Sequence, residues 1–109
     1  MKLVINISMD LTTEYDSKWN NESFKQAIVG ILKNPYGYDK VEDFSISLDW
    51  STTKIKLERR GKKHEVNIRT RKEYREDNAY YIAEIWPLES LELKKKEEEI
   101  AIKLSKGKD

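Results

Sequence analysis

The chain has no cysteine, one histidine, two prolines and four glycines in 109 residues. Without thiols there are no disulfides, no thiolate zinc site and no cysteine nucleophile, a composition that fits a reducing compartment. A lone histidine excludes the usual Cys/His zinc sets and the Cys-His pair, and leaves His64 as the sole imidazole for any Ser-His-Asp triad. Gly30, Gly37, Gly61 and Gly107 are too scattered to form a phosphate-cradling loop. Long apolar runs are missing too. Only Leu3, Val4 and Ile5 follow Lys2 without interruption, whereas a secretory signal needs an apolar run of about 7–15 residues and a spanning helix about 20. The expected location is cytoplasmic, in the cell that makes the chain or in a host cell, with no membrane partner.

The length suits one domain, residues 1–109, with a single modest core. Charged residues make up 38% of the chain, but the near-zero net charge and the 10% aromatic content argue against disorder. The net value of +1 hides a segregation of charge. Between Lys54 and Arg75, ten cations stand against Glu58, Glu65 and Glu73, a local excess of seven. The rest of the chain holds the other seventeen acidic residues against eleven basic ones. Such a dipolar chain has one region suited to polyanions, whether nucleic acid or an acidic protein surface.

Leu3, Ile5, Ile7, Met9 and Leu11 alternate as in a strand with one buried face, and the polar stretch from Thr12 to Asn21 reads as a loop. Phe24, Ile28, Ile31 and Leu32 then fall at helical spacing. Asn20 or Asn21 can cap that helix, Trp19 can staple it, and Asn34-Pro35 stops it before a turn from Pro35 to Asp39. Phe44, Ile46, Leu48 and Trp50 alternate again, followed by Thr53, Ile55 and Leu57, and then by His64, Val66, Ile68 and Thr70. This pattern predicts a meander with turns at Ser51-Thr52 and at Arg59 to Lys62. Pairing Trp50 with Thr53 sets Asp49 opposite Lys54. Pairing Leu57 with His64 sets Lys56 opposite Glu65 and Glu58 opposite Lys63, whereas a shift of two would oppose Glu58 to Glu65. Tyr80 to Trp86 reads as another strand, ended by Pro87.

From Pro87 onward Glu, Lys, Leu, Ala and Ile dominate, and residues 88–106 read as a C-terminal helix about 27 Å long, either projecting or packed peripherally. The alternation of Ile100, Ile102 and Leu104 leaves a short strand as the competing reading. The expected fold is α+β in the order β-α-β-β-β-β-α: an antiparallel sheet with one helix on a face and a long charged C-terminal helix.

Candidate contacts follow from this layout. Lys54, Lys56, Arg69 and Arg71 would share one face of two neighbouring strands, with Arg59, Arg60, Lys62 and Lys63 at the connecting loop, a patch able to meet phosphates or an acidic protein groove. The bland alternative is a solvated, lysine-rich face that deters edge aggregation. Tyr36 and Tyr38 flank Gly37 in a loop and serve either as exposed anchors or as a cover over the end of the core. Trp19, Trp50, Trp86, Tyr80 and Tyr81 are read as core. His64 is read as structural. Asp10, Glu14 and Asp16 are read as a solvated acidic loop, because their spacing lacks the glycine and terminal glutamate of a calcium loop. The run Lys94 to Glu99 is read as a solvated helix face. No catalytic set, metal site or cofactor is expected.

The general profile is similar to that of small phage- or mobile-element-encoded accessory proteins, including anti-CRISPR and other anti-defence inhibitors. What is shared is shortness, absence of motifs and charged surface, so the likeness assigns no residue. The leading expectation is a non-enzymatic inhibitor. Its basic hairpin and tyrosine loop would engage a larger protein with an acidic or nucleic-acid-binding surface. Direct nucleic-acid binding through the same face is the alternative. Behind these stand a carboxylate-based hydrolase or nucleotide-binding enzyme, and a subunit that homodimerises through the C-terminal helix.

Overall fold

In β1 (Lys2–Asp10) Leu3, Ile5, Ile7 and Met9 are buried, while the residues between them are partly exposed. One face of the strand therefore enters the core. The structure is a computed structural model that describes residues 1–10, 19–89 and 96–104. Leu11, most of the polar loop that begins at Thr12, and Glu14 and Asp16 lie outside the described residues.

Helix α1 (Asn21–Lys33) starts where local chemistry places it. The Asn20 side chain accepts the Ser23 N–H at 2.9 Å, satisfying one of the free donors of the first turn. Trp19 packs on Phe24 with ring centroids 5.9 Å apart, the staple expected from the sequence. Phe24, Ile28 and Leu32 form the buried stripe, and Asn34 leaves the helix in an extended conformation ahead of Pro35.

Five further strands complete a six-stranded sheet: β2 (Lys40–Val41), β3 (Trp50–Arg59), β4 (Lys62–Arg75), β5 (Asn78–Trp86) and β6 (Glu97–Leu104). Their spatial order is β2-β3-β4-β5-β1-β6. The register across them keeps one apolar inner face. Ile55 lies opposite Val66, Ile68 opposite Ile85, and Ile85 opposite Leu3. With Phe24, Ile28 and Leu32 of α1 these side chains make one core cluster. The expected pairs Leu57 with His64, Lys56 with Glu65 and Glu58 with Lys63 are all present. The β3–β4 turn is Arg60-Gly61, with φ of 54° and 78°, the left-handed pair that a two-residue hairpin requires.

Three expectations are corrected. The sheet is mixed, because β6 runs parallel to β1 while every other pair is antiparallel. Strand makes up 58% of the described residues, so the fold is mostly β, a half-barrel with one short helix. The long C-terminal helix over 88–106 is absent. Glu97–Leu104 is a strand, residues 90–95 and 105–109 lie outside the described residues, and the described part of the segment presents no helix face for a homodimer to use. Good helix formers are only a weak local preference. Here it is outweighed by the open edge of β1, whose backbone groups need partners, and by Ile100, Ile102 and Leu104, which pack against the core.

Parallel pairing normally demands a long crossover, but β6 follows β5, which is antiparallel to both. The end of β5 and the start of β6 both lie beside the start of β1: Leu88 N–H donates to Met1 O at 2.8 Å and Lys2 N–H to Lys96 O at 2.9 Å.

A further correction concerns the meander. Residues 42–49 form no ladder, and no turn occurs at Ser51-Thr52, so Trp50 does not pair with Thr53. Phe44 and Ile46 are buried as expected, but they are held by side-chain bonds: Thr70 Oγ1 donates to Ser47 O, and Leu48 N–H donates to Asn21 Oδ1. Strand β3 instead runs unbroken from Trp50, which faces Arg71. Ser-Thr offers no left-handed residue with which to reverse the chain. Among the described residues no helix is long and apolar enough to cross a membrane.

Phe24 carries the contact between helix and sheet, touching both Trp19 and Tyr81. Phe24→Ala is expected to cost about 3–5 kcal/mol in urea unfolding. Gln26→Ala on the exposed side of α1 is expected to stay within about 0.5 kcal/mol.

Candidate interaction surface

Period-two alternation puts Trp50, Lys54, Lys56, Arg69 and Arg71 on the outer face of the sheet, opposite the core. The register adds side chains that the sequence alone does not bring near. One row runs Thr52, Arg69, Glu84, Val4, Glu99, and the next Trp50, Arg71, Ile82, Asn6, Ala101.

Glu84 is the centre of this face. It is only 7% exposed, yet three cations reach it: Lys2 Nζ at 2.8 Å, Arg69 at 2.9 Å and Arg71 Nη1 at 3.0 Å. Burial pushes its carboxyl pKa up, but the hydrogen bonds and charges of Lys2 and Arg69 outweigh that and hold it below the ordinary glutamate value. Arg71 also reaches Glu73 at 3.3 Å, and Arg69 lies 5.2 Å over the Trp86 ring. The two arginines of the expected basic patch are therefore on the outer face, fixed in place and partly neutralised from β5.

The hairpin end is also partly neutralised. Arg59 points to the inner face, where Nη1 donates to Tyr36 O at 2.7 Å and Nη2 pairs with Glu89 at 2.8 Å. Its guanidinium sits 4.6 Å over the Tyr38 ring. Lys62 joins the same Glu89 at 3.1 Å, and the two cations hold the Glu89 carboxyl below its usual range. Tyr36 and Tyr38 are buried, so neither is an exposed anchor; both cover the end of the core. Burial raises the Tyr38 phenol pKa, against the opposing charge of Arg59. His64 stacks on Tyr38 at 6.4 Å and its Nε2 lies 2.6 Å from Pro87 O, a structural placement.

Lys54, Lys56, Arg60 and Lys63 remain exposed with no ion pair among the described residues. Lys56 and Lys63 border a shallow cleft of about 580 Å³ between β2, β3 and β4, where they and Lys40 alternate with Glu42, Glu58 and Glu65. Its charge is balanced, unlike a phosphate track. Among the described residues no group of three or more His, Asp or Glu side chains is placed to share a metal ion.

One residue of this surface was hidden in the sequence pattern. Trp50, read there as core, is 67% exposed on the outer face beside Arg71. The signal was its parity. In an unbroken strand Trp50 belongs with Thr52, Lys54 and Lys56, and only the assumed turn at Ser51-Thr52 moved it inward. Trp86 and Tyr80 are likewise partly exposed on this face, under Arg69 and Arg75.

Because the Glu84 carboxyl is held below its unfolded value, its stabilisation is complete above about pH 4.3 and is lost as pH falls through the lower folded value. Glu84→Gln is expected to destabilise the chain by roughly 1–3 kcal/mol near neutral pH. It should also flatten the fall in stability that the wild type shows as pH drops below the ordinary glutamate range, as read by urea unfolding.

Compared with protein-family models, with curated proteins and with solved structures, the chain matches none of them.

Proposed function

We propose that this chain is a small non-enzymatic binding protein, working in the cytoplasm of its own or a host cell, that inhibits a larger protein by occupying its charged surface. A nucleic-acid-handling protein is included in that class. The observation that carries this reading is the exposed Trp50 at the start of β3, with Arg71 beside it and Arg69 and Trp86 on the same face. Tryptophan and arginine dominate the residues that carry protein–protein affinity. Each guanidinium has five N–H donors, so Arg69 and Arg71 retain donors beyond those that Glu84 and Glu73 engage. Lys54, Lys56, Arg60 and Lys63 form a charged rim that speeds encounter with an acidic partner.

The same four free cations support the second reading, direct nucleic-acid binding. Arg69 and Arg71 weaken it, because a phosphate must compete with a carboxylate that already holds them.

The test is capture of partners from the native host, followed by affinity measurement on the purified pair. Trp50→Ala is expected to weaken binding at least about thirtyfold, as for a dominant anchor, without lowering the unfolding midpoint. Lys54→Glu/Lys56→Glu is expected mainly to slow association and reduce its salt dependence. Full affinity in Trp50→Ala overturns the proposal. Tight binding to single- or double-stranded DNA or RNA with a steep salt slope replaces it with the second reading.

A further inference from the structure

The sheet ends at β6. One edge of this strand pairs with β1, and the other has no strand partner among the described residues. Alternate N–H and C=O groups from Glu99 to Leu104 therefore face outward, a ready template for another strand. Proline and bulges, two common devices that blunt such edges, are absent from β6. Its sequence, Glu-Glu-Glu-Ile-Ala-Ile-Lys-Leu, is acidic at one end and basic near the other. Ile100, Ile102 and Leu104 lie on the core side but stay only partly buried.

We propose that the free edge of β6 is the seat of a second copy of this chain. The two β6 strands pair antiparallel about a two-fold axis at Ala101, joining two sheets into one. Side chains of directly opposed residues lie on the same face, so only registers that oppose odd with odd and even with even residues keep both inner faces apolar. With Ala101 opposite its own copy, Glu99 faces Lys103 of the partner subunit, and Ile100 faces Ile102 of the partner subunit. Symmetry makes each pair occur twice. The small Ala101 side chain crowds nothing at the axis. Glu98 falls opposite Leu104 at the ends, where both remain partly exposed.

Other registers are poorer. Moving two residues one way opposes Glu97 to Lys103 and Ile100 to its copy, but sets Glu98 against Ile102 and Glu99 against Ala101. Moving two the other way leaves Glu99 with no cation of β6 to face and sets Lys103 against Ala101. A parallel, in-register pairing would stack all three glutamates on their copies, which like-charge repulsion opposes. The Ala101-centred arrangement opposes Glu99 to Lys103 and Ile100 to Ile102 and leaves no glutamate of the strand centre facing an isoleucine.

The experiment is light scattering with size-exclusion chromatography, or sedimentation equilibrium, over a concentration series of the full chain. The wild type is expected to dimerise as concentration rises. Glu99→Lys makes positions 99 and 103 both positive, and Lys103→Glu makes both negative. Each variant should dimerise roughly tenfold more weakly, since two symmetry-related pairs turn from attractive to repulsive. An equimolar mixture of the two single variants should recover the dimer, as should the double variant Glu99→Lys/Lys103→Glu. Both positions are solvent-facing, and circular dichroism on each variant checks that the fold is retained. A wild type that stays monomeric at its highest soluble concentration overturns the proposal. So does a dimer indifferent to both reversals, or single variants that fail to recover association when mixed.

Discussion

A shared register across β3, β4, β5 and β1 governs this molecule. Because strand side chains alternate, slipping any one of these strands by a single residue would turn its core residues outward and bring Arg69, Arg71 or Glu84 into the apolar interior. Burial of Ile55, Val66, Ile68, Ile85 and Ile5 enforces the alignment, since each contributes roughly 1.5–3 kcal/mol on removal from water. Everything on the outer face inherits its position from that inner constraint. The arginines meet Glu84 because the isoleucines behind them meet one another.

The outer face is thus both crowded with charge and largely balanced. Glu84, supplied from β5, collects Lys2, Arg69 and Arg71, and on the opposite side of the hairpin Glu89 collects Arg59 and Lys62. A cation held by a carboxylate is still a hydrogen-bond donor, but it is no longer a free counter-charge. That distinction separates a surface adapted to a protein, where oriented donors and a flat aromatic ring matter, from one adapted to a phosphate backbone, where net positive charge does. Trp50 stands out against this background as a large apolar side chain that the fold leaves in water.

The parts of the fold legible in the sequence were those decided by neighbours along the chain or by one adjacent strand. Asn20, Trp19 and Asn34-Pro35 framed α1 through local capping chemistry. Opposed charges chose the β3–β4 register because Glu58 against Glu65 would repel. What stayed hidden depended on distant partners. Glu84 carries no mark in the sequence of the three cations that reach it from β1 and β4. Residues 97–104 look helical by composition and become a strand because β1 has an edge to fill. Tyr36 and Tyr38, placed in a loop where exposure and burial were both open, are drawn inward by Arg59, whose guanidinium bonds one backbone and covers the other ring.

The seating of β1 also bears on how the chain acquires its shape. Its nearest pairing in sequence joins Asp10 to Asn78, and its other neighbour begins only at Glu97. A ribosome releasing this polypeptide from its first residue onward exposes an alternating apolar ribbon long before either companion emerges. The hairpin of β3 and β4 has its contacts close at hand and can assemble early, while β1 must wait for late arrivals. Distant pairings of this sort slow folding and prolong the interval in which unpaired strands can meet the wrong neighbour. The place of β1 between two late-made strands therefore makes it the ribbon that waits longest for its companions during synthesis.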